Sequence, residues 1–293
     1  MPAVGPVIRA VGRDMGSAFP YRAKNCNTAR AQWAAMSSPR TTLAVANQKG
    51  GVAKTTTVAS LGAALAEQGS TVLIVDLDPQ ACLTFSLGID PEDLELSVHH
   101  VLTKGVDVRE VILATEDGVD LLPATIELAR AEADLLTRTG REHVIRAALE
   151  ELPGYDWVLL DCPPSLGVLT VAALTAADAV LIPLQCETLS HRGVGQLLDT
   201  VHDVRRFTNR SLEVWGVLPT MYDGRTNHAR AVLENISQAY QLDVVEPPIP
   251  KSIRFAEAPA TGRSILTTSR RHRGADAYRD LAVNLTRRAR RRA

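Results

Sequence analysis

Residues 43–56 read Leu-Ala-Val-Ala-Asn-Gln-Lys-Gly-Gly-Val-Ala-Lys-Thr-Thr, and no other stretch restricts the fold as much. Leu43 to Ala46 form a short apolar β-run. A glycine-containing loop follows, then a helical stretch from about Thr56 to Gln68. Strand, glycine loop and helix in that order place bare backbone N–H groups at the positive end of a helix, where they can wrap phosphate oxygens. Lys54 would reach the β- and γ-phosphates of a nucleoside triphosphate, and the Thr55 hydroxyl would hold Mg²⁺. Gly50, Gly51, Val52, Ala53 and Thr56 complete the expected cradle. The usual pattern G-x-x-x-x-G-K-S/T is not met, because Gln48 and Ala53 stand at its glycine positions. The cradle is made of N–H groups and Ala53 keeps its own; its methyl is tolerable if φ is negative there. Lys49, just before the glycine pair, has no role in an ordinary loop of this kind.

Two further apolar runs end in carboxylates. Thr71-Val-Leu-Ile-Val-Asp76 has the length and composition of a strand covered on both faces, and it leads into Asp76-Leu-Asp78-Pro-Gln. Carboxylates at the carboxyl edge of a parallel strand lie at the rim where ligands sit. Two positions apart, Asp76 and Asp78 point to opposite faces if the strand continues, or to one site if it curls. Trp157-Val-Leu-Leu-Asp161 is the second run, followed by Cys162-Pro-Pro-Ser165. Asp161 has the setting of a carboxylate that accepts from Mg²⁺-bound water or from the loop threonine.

Between and beyond these runs, strands alternate with helices. The residues predict a short strand over 119–124, a helical stretch over 126–152 and helices over 168–176, 195–207 and 227–240. Further strands are predicted over 179–184, 214–221 and 244–249, with 82–118 helical and loop-like. Pro247, Pro248 and Pro250 shape a loop able to touch a base. The alternation predicts an α/β chain with a doubly wound, predominantly parallel sheet. Residues 41–285 read as one domain, with 1–40 a disordered basic extension and 286–293 a basic C-terminal tail. The run from Met36 leads straight into the first strand, so Met36 is an alternative start.

The net charge of −1 hides an uneven distribution. Residues 1–40 carry +5, residues 251–293 carry +9 and the body between them carries −15. An acidic body with a basic end points to a polyanionic partner, DNA or anionic lipid. Cys26, Cys82, Cys162 and Cys186 are scattered without metal-type spacing, which suits a reducing cytoplasm. No apolar stretch approaches membrane-spanning length, so no membrane insertion is expected.

Taken together, the loop with its early lysine, the Val75-Asp-Leu-Asp-Pro-Gln80 run and Asp161-Cys-Pro-Pro-Ser165 resemble the ParA/Soj-type partitioning ATPases of the deviant Walker A class. Their loop reads KGGxGKTT and their second motif VDxDPQ. The resemblance covers about residues 41–285 and implies a P-loop NTPase-like three-layer sandwich that binds ATP and Mg²⁺. It implies that Lys49 acts across an ATP-state homodimer on the partner's nucleotide. Asp78 would orient the attacking water, and Asp76 would support Mg²⁺ through water. Thr220-Met221 resembles the adenine-side strand of plasmid-type members, which makes both residues base contacts. Lys251-Ser-Ile-Arg254-Phe-Ala-Glu-Ala-Pro-Ala-Thr-Gly262 is similar to the chromosomal pattern Pro-x-Arg/Lys-x-x-Arg-x-x-Glu-Ala-Pro-x-x-Gly. That likeness implies DNA contact by Arg254 with Lys251 in support, and Arg270, Arg271 and Arg273 follow close behind. With few aromatics among these cations, binding to the phosphate backbone without base readout is expected. A ParB-like centromere-binding partner that stimulates hydrolysis, and a cytoplasmic, nucleoid-associated location, belong to the same implication.

Three other classes remain open on sequence. A MinD-like membrane-surface ATPase needs a C-terminal amphipathic helix, yet Leu281, Val283 and Leu285 are few beside the arginines. A reductase of the nitrogenase iron-protein kind needs cysteines to bridge a cluster between subunits, and only Cys162 has a motif around it. A non-enzymatic adaptor would show no ATPase activity even with DNA and partner present.

Overall fold

The computed structural model describes residues 40–150, 152–187 and 190–292. The readings of residues 1–39, as extension or as an over-read start, lie outside the described residues. Strands β1 (Thr41–Val45), β2 (Val72–Asp76), β3 (Leu113–Ala114), β4 (Asp120–Leu122), β5 (Trp157–Asp161), β6 (Ala179–Gln185) and β7 (Glu213–Thr220) form one sheet. Its order is β3-β4-β2-β5-β1-β6-β7. Every neighbouring pair is parallel except β3 with β4. The central strands are apolar and buried along their length, because helices cover both faces and side chains on neither side meet water.

Alternation within β1 shows the two layers. Leu43 and Val45 join one core, Ala44 and Ala46 the other. The first core lies under α1 (Lys54–Glu67), α2 (Cys82–Ser86), α11 (Ile265–Thr268) and α12 (Arg273–Arg292). Between α2 and α11 the chain also forms α3 (Val98–Lys104), α4 (Val108–Val111), α5 (Leu128–Leu136), α6 (Val144–Glu150), α7 (Val168–Ala176), α8 (Ser190–Phe207), α9 (Asn227–Tyr240) and α10 (Arg254–Glu257). Helices α3 to α9 line the second core. The architecture is the expected doubly wound three-layer sandwich.

Several expected elements differ. The helical stretch over 126–152 is broken, because Gly140 takes φ 73° between α5 and a short 3₁₀ turn before α6. Within 82–118 the chain also forms β3, which pairs with β4 as an antiparallel edge. Residues 244–249 are no strand. They meet β7 through single contacts and no continuous ladder: Val244 bridges Val217, the Ile249 amide donates to the Pro219 carbonyl at 2.7 Å, and just beyond both segments Pro250 bridges Tyr222. Gly216 permits this approach, since at φ 127° a Cβ there would lie 2.3 Å from the Asp243 carbonyl oxygen.

Residues 286–292, the expected basic tail, are the last turns of α12 and lie against the body. Arg288 Nη1 donates to the Trp215 carbonyl at 2.7 Å, and Arg292 pairs with Asp178 and Glu213 at 2.8 and 3.2 Å. At the other end Arg40 donates to the carbonyls of Leu149 and Leu152, which pins the start of β1.

Candidate nucleotide-binding site

β1, β2 and β5 bring their carboxyl ends to one edge. Asp76 and Asp161 are register partners, and Val45, which leads into the loop, is the other neighbour of Asp161. The loop therefore lies beside Asp161, whose carboxylate Thr55 reaches. The loop is fixed from several sides. Asn47 donates to the Pro183 carbonyl at 2.8 Å and accepts from the Lys49 amide at 3.0 Å. Val52 is buried, and its carbonyl accepts from the Thr220 hydroxyl at 3.0 Å. Sequence reading missed Asn47, whose only signal was a polar residue at the end of an apolar strand.

Two expectations for this loop are corrected. Ala53 lies at φ 66°, ψ 35°, in the left-handed region, not at negative φ. The tight turn into α1 imposes that conformation, and it is the one for which glycine is usually selected. Thr220, expected at the base, is fully buried and ties the loop to β7 instead. Met221 beside it is half-buried, and the bridge from Tyr222 to Pro250 brings Pro248 and Pro250 to the same strand end. These three form the candidate base side.

The two lysines differ. Lys54 is buried, and its ammonium donates to the Lys49 carbonyl at 3.2 Å. Burial lowers its pKa, while the Asp161 charge works against that shift. Lys49 is partly exposed at the rim, in an ion pair with Glu187 at the end of β6.

Thr55 Oγ1 donates to Asp161 Oδ2 at 2.7 Å. Asp161 Oδ1 is buried and has no hydrogen-bond partner among the described residues. Burial, and then the facing Asp76, push the Asp161 carboxyl well above the usual carboxylate range. An orphaned carboxylate oxygen beside a loop threonine fits a hydrated divalent cation, which would neutralise this charge. Asp76 is engaged differently. Its Oδ1 accepts from the Asp78 amide at 3.1 Å, and Oδ2 accepts from the Thr84 amide and hydroxyl at 2.9 and 2.7 Å. Burial raises its carboxyl to about 6. With both oxygens engaged, Asp76 shapes the turn that carries Asp78. Asp78 itself stands half-exposed at the rim, accepting from the Gln80 amide at 2.9 Å.

The basic residues gather on one surface. Ser252 Oγ lies 3.2 Å from His272 Nε2, and Phe255 packs edge-on against Tyr278 of α12 at 5.9 Å. These contacts bring exposed Lys251 and Arg254 beside exposed Arg270, Arg271 and Arg273. The same α12 lies along α1, and Thr57 and Tyr278 share a buried hydroxyl pair at 3.1 Å. Ser252 and His272 carried no signal in sequence, because their role is to join two distant segments. A cavity of about 850 Å³ opens at the opposite edge of the sheet. Its Asp178 and Asn209 are already bonded to the chain's own groups, and none of the expected site residues line it.

A family model described as an AAA domain matches residues 40–214. The sporulation initiation inhibitor protein Soj of Bacillus subtilis (strain 168) is 46% identical over 242 residues, covering 82% of this chain and 96% of that protein. The chromosome partitioning protein ParA of Caulobacter vibrioides (strain NA1000 / CB15N) is 41% identical over 249 residues, covering 84% of this chain and 93% of that one. Among solved structures, cobyrinic acid a,c-diamide synthase from Mycobacterium smegmatis with bound ADP and magnesium superposes with a TM-score of 0.77. It is 54% identical and covers 85% of this chain and 95% of its own.

Proposed function

The chain belongs to the ParA/Soj family of partitioning ATPases, and from that premise we infer that it hydrolyses Mg·ATP to drive a cycle of dimerisation and DNA binding. The observation that carries the reading is the Thr55–Asp161 bond beside the unpartnered Asp161 Oδ1, at the mouth of the loop that holds Lys54. Mg²⁺, held by Thr55 and by Asp161 through water, would supply charge neutralisation on the β- and γ-phosphates. Lys54 and the amides of 50–56 bind the triphosphate. Met221, Pro248 and Pro250 flank the base, and Asp78 at the rim orients the attacking water. Lys49 leaves Glu187 to meet the phosphates of a second copy, which makes hydrolysis depend on the dimer.

The dimer binds DNA without sequence preference through Lys251, Arg254, Arg270, Arg271 and Arg273. A ParB-like partner at its cargo stimulates hydrolysis and releases ADP-bound chains, so the protein works in the cytoplasm on the nucleoid. A membrane-surface role has less support. Leu281 and Leu285 of α12 are buried against the body, which removes the apolar face a bilayer would need. Among the described residues, no helix is long and apolar enough to cross a membrane. The same burial of Cys162 in the core argues against a cluster shared between subunits.

The name of the 54% identical solved structure raises a second reading, amide synthesis on a corrinoid acid. A glutamine-splitting nucleophile would need a reactive thiolate. Among the described residues, burial pushes the thiols of Cys82, Cys162 and Cys186 upward, that of Cys186 to about 11, so none of these three supplies it. The test is Mg-dependent ATP hydrolysis with and without DNA, in wild type and Lys54→Ala. Wild-type turnover that DNA or a partner raises, lost in the variant with its ATP binding, supports the reading. Turnover that requires a corrinoid acid and ammonia would replace it.

A further inference from the structure

Thr84 sits in α2, eight residues beyond Asp76, and neither it nor its neighbours reach the phosphate loop in sequence. Its side chain is fully buried. Its hydroxyl donates to Asp76 Oδ2 at 2.7 Å and accepts from the Ala124 amide, beyond β4, at 3.0 Å. Its own amide donates to the same carboxylate oxygen at 2.9 Å. The other oxygen, Asp76 Oδ1, holds the Asp78 amide at 3.1 Å. One hydroxyl thus joins the ends of β2 and β4 to the start of α2, and fixes the rotation of the carboxylate on which the Asp78 turn hangs. The turn is closed again by the Ala81 amide donating to the Asp78 carbonyl at 2.9 Å.

We propose that Thr84 is a positioning residue for hydrolysis, acting through Asp76 to hold Asp78 where it meets the attacking water. The inference rests on the assignment of Asp78 above. Serine at 84 keeps the donor and acceptor, whereas valine keeps the shape and removes both. Without the hydroxyl, Asp76 Oδ2 retains one donor of two, Ala124 loses its acceptor, and the carboxylate is free to rotate. A small displacement of a catalytic group is enough to slow a reaction by about 10²-fold. Substrate affinity is not involved, because the cradle of residues 50–56 makes no hydrogen bond to Thr84.

The test uses the full chain and compares Thr84→Val, Thr84→Ser and Asp78→Ala. In Thr84→Val, kcat for Mg·ATP falls about 10²-fold while ATP affinity stays at the wild-type value, and Thr84→Ser restores the rate. Amide exchange at residues 78, 80 and 81, followed without nucleotide, accelerates in the valine variant and returns to normal in the serine variant. Thr84→Cys, which keeps a weak donor, gives an intermediate rate and replaces valine should that variant not fold. A wild-type rate in Thr84→Val, or in Thr84→Cys where it stands in, with Asp78→Ala inactive, overturns the proposal alone. Equal loss of ATP affinity and rate also overturns it. A wild-type rate in Asp78→Ala overturns the assignment of Asp78, and the proposal with it.

Discussion

Ala53 carries the clearest residue-scale consequence. A side chain in the left-handed region costs about 1–2 kcal/mol, and Ala53 adopts that region at φ 66° directly before Lys54. Replacing it with glycine relieves the strain but adds freedom to the unfolded chain, a loss of about 0.4–1 kcal/mol. Ala53→Gly is therefore expected to stabilise the nucleotide-free chain by about 0.5–1 kcal/mol, read as a raised denaturation midpoint with unchanged slope. Chemistry-bearing residues of the loop were legible because lysine, threonine and aspartate at these spacings have few other uses. The φ of residue 53 was not, since it is set by closure onto α1 and β7. Thr220 was misread for a related reason: a threonine ending an apolar strand reads the same whether it faces a ligand or a neighbouring loop.

At the scale of elements, apolar periodicity located β5, α7 and α9 at the bounds the structure has. It failed where long-range contacts decide. Residues 244–249 have strand composition but meet β7 through single bonds and no continuous ladder, and composition alone did not show that Arg288 and Arg292 clamp the end of α12 to the body. The pairing of α12 with α1 was equally hidden, because Thr57 and Tyr278 are 221 residues apart. Both hydroxyls are buried, so Thr57→Val strands the tyrosine hydroxyl and should destabilise by about 1–3 kcal/mol. Thr57→Val with Tyr278→Phe removes both groups, and the double variant should lose less than the two single losses summed. Denaturant unfolding of all four proteins checks this, and strict additivity would mean the pair does not interact.

For the whole molecule, charge separates by location: an acidic body of −15 and a basic end of +9. The lopsided charge was visible in sequence, but its division of labour was not. Exposed Lys251, Arg254, Arg270, Arg271 and Arg273 share a surface, whereas Arg288 and Arg292 face the body. DNA affinity should fall with salt at a log–log slope of about −0.9 per phosphate neutralised. Arg254→Ala should lower the magnitude of that slope by about 1. Arg288→Ala with Arg292→Ala should leave it unchanged while lowering the melting temperature, and salt titrations of binding would separate the two groups.

The role proposed for Lys49, whose side chain pairs with Glu187 at the rim, requires nucleotide to join two chains. Sedimentation of the hydrolysis-slowed Asp78→Ala variant, saturated with Mg·ATP, tests that most directly. A species of twice the 31.6 kDa chain mass, reverting to the single chain when Lys49→Ala is added, is the predicted result. A boundary that stays at one chain under saturating Mg·ATP would contradict it.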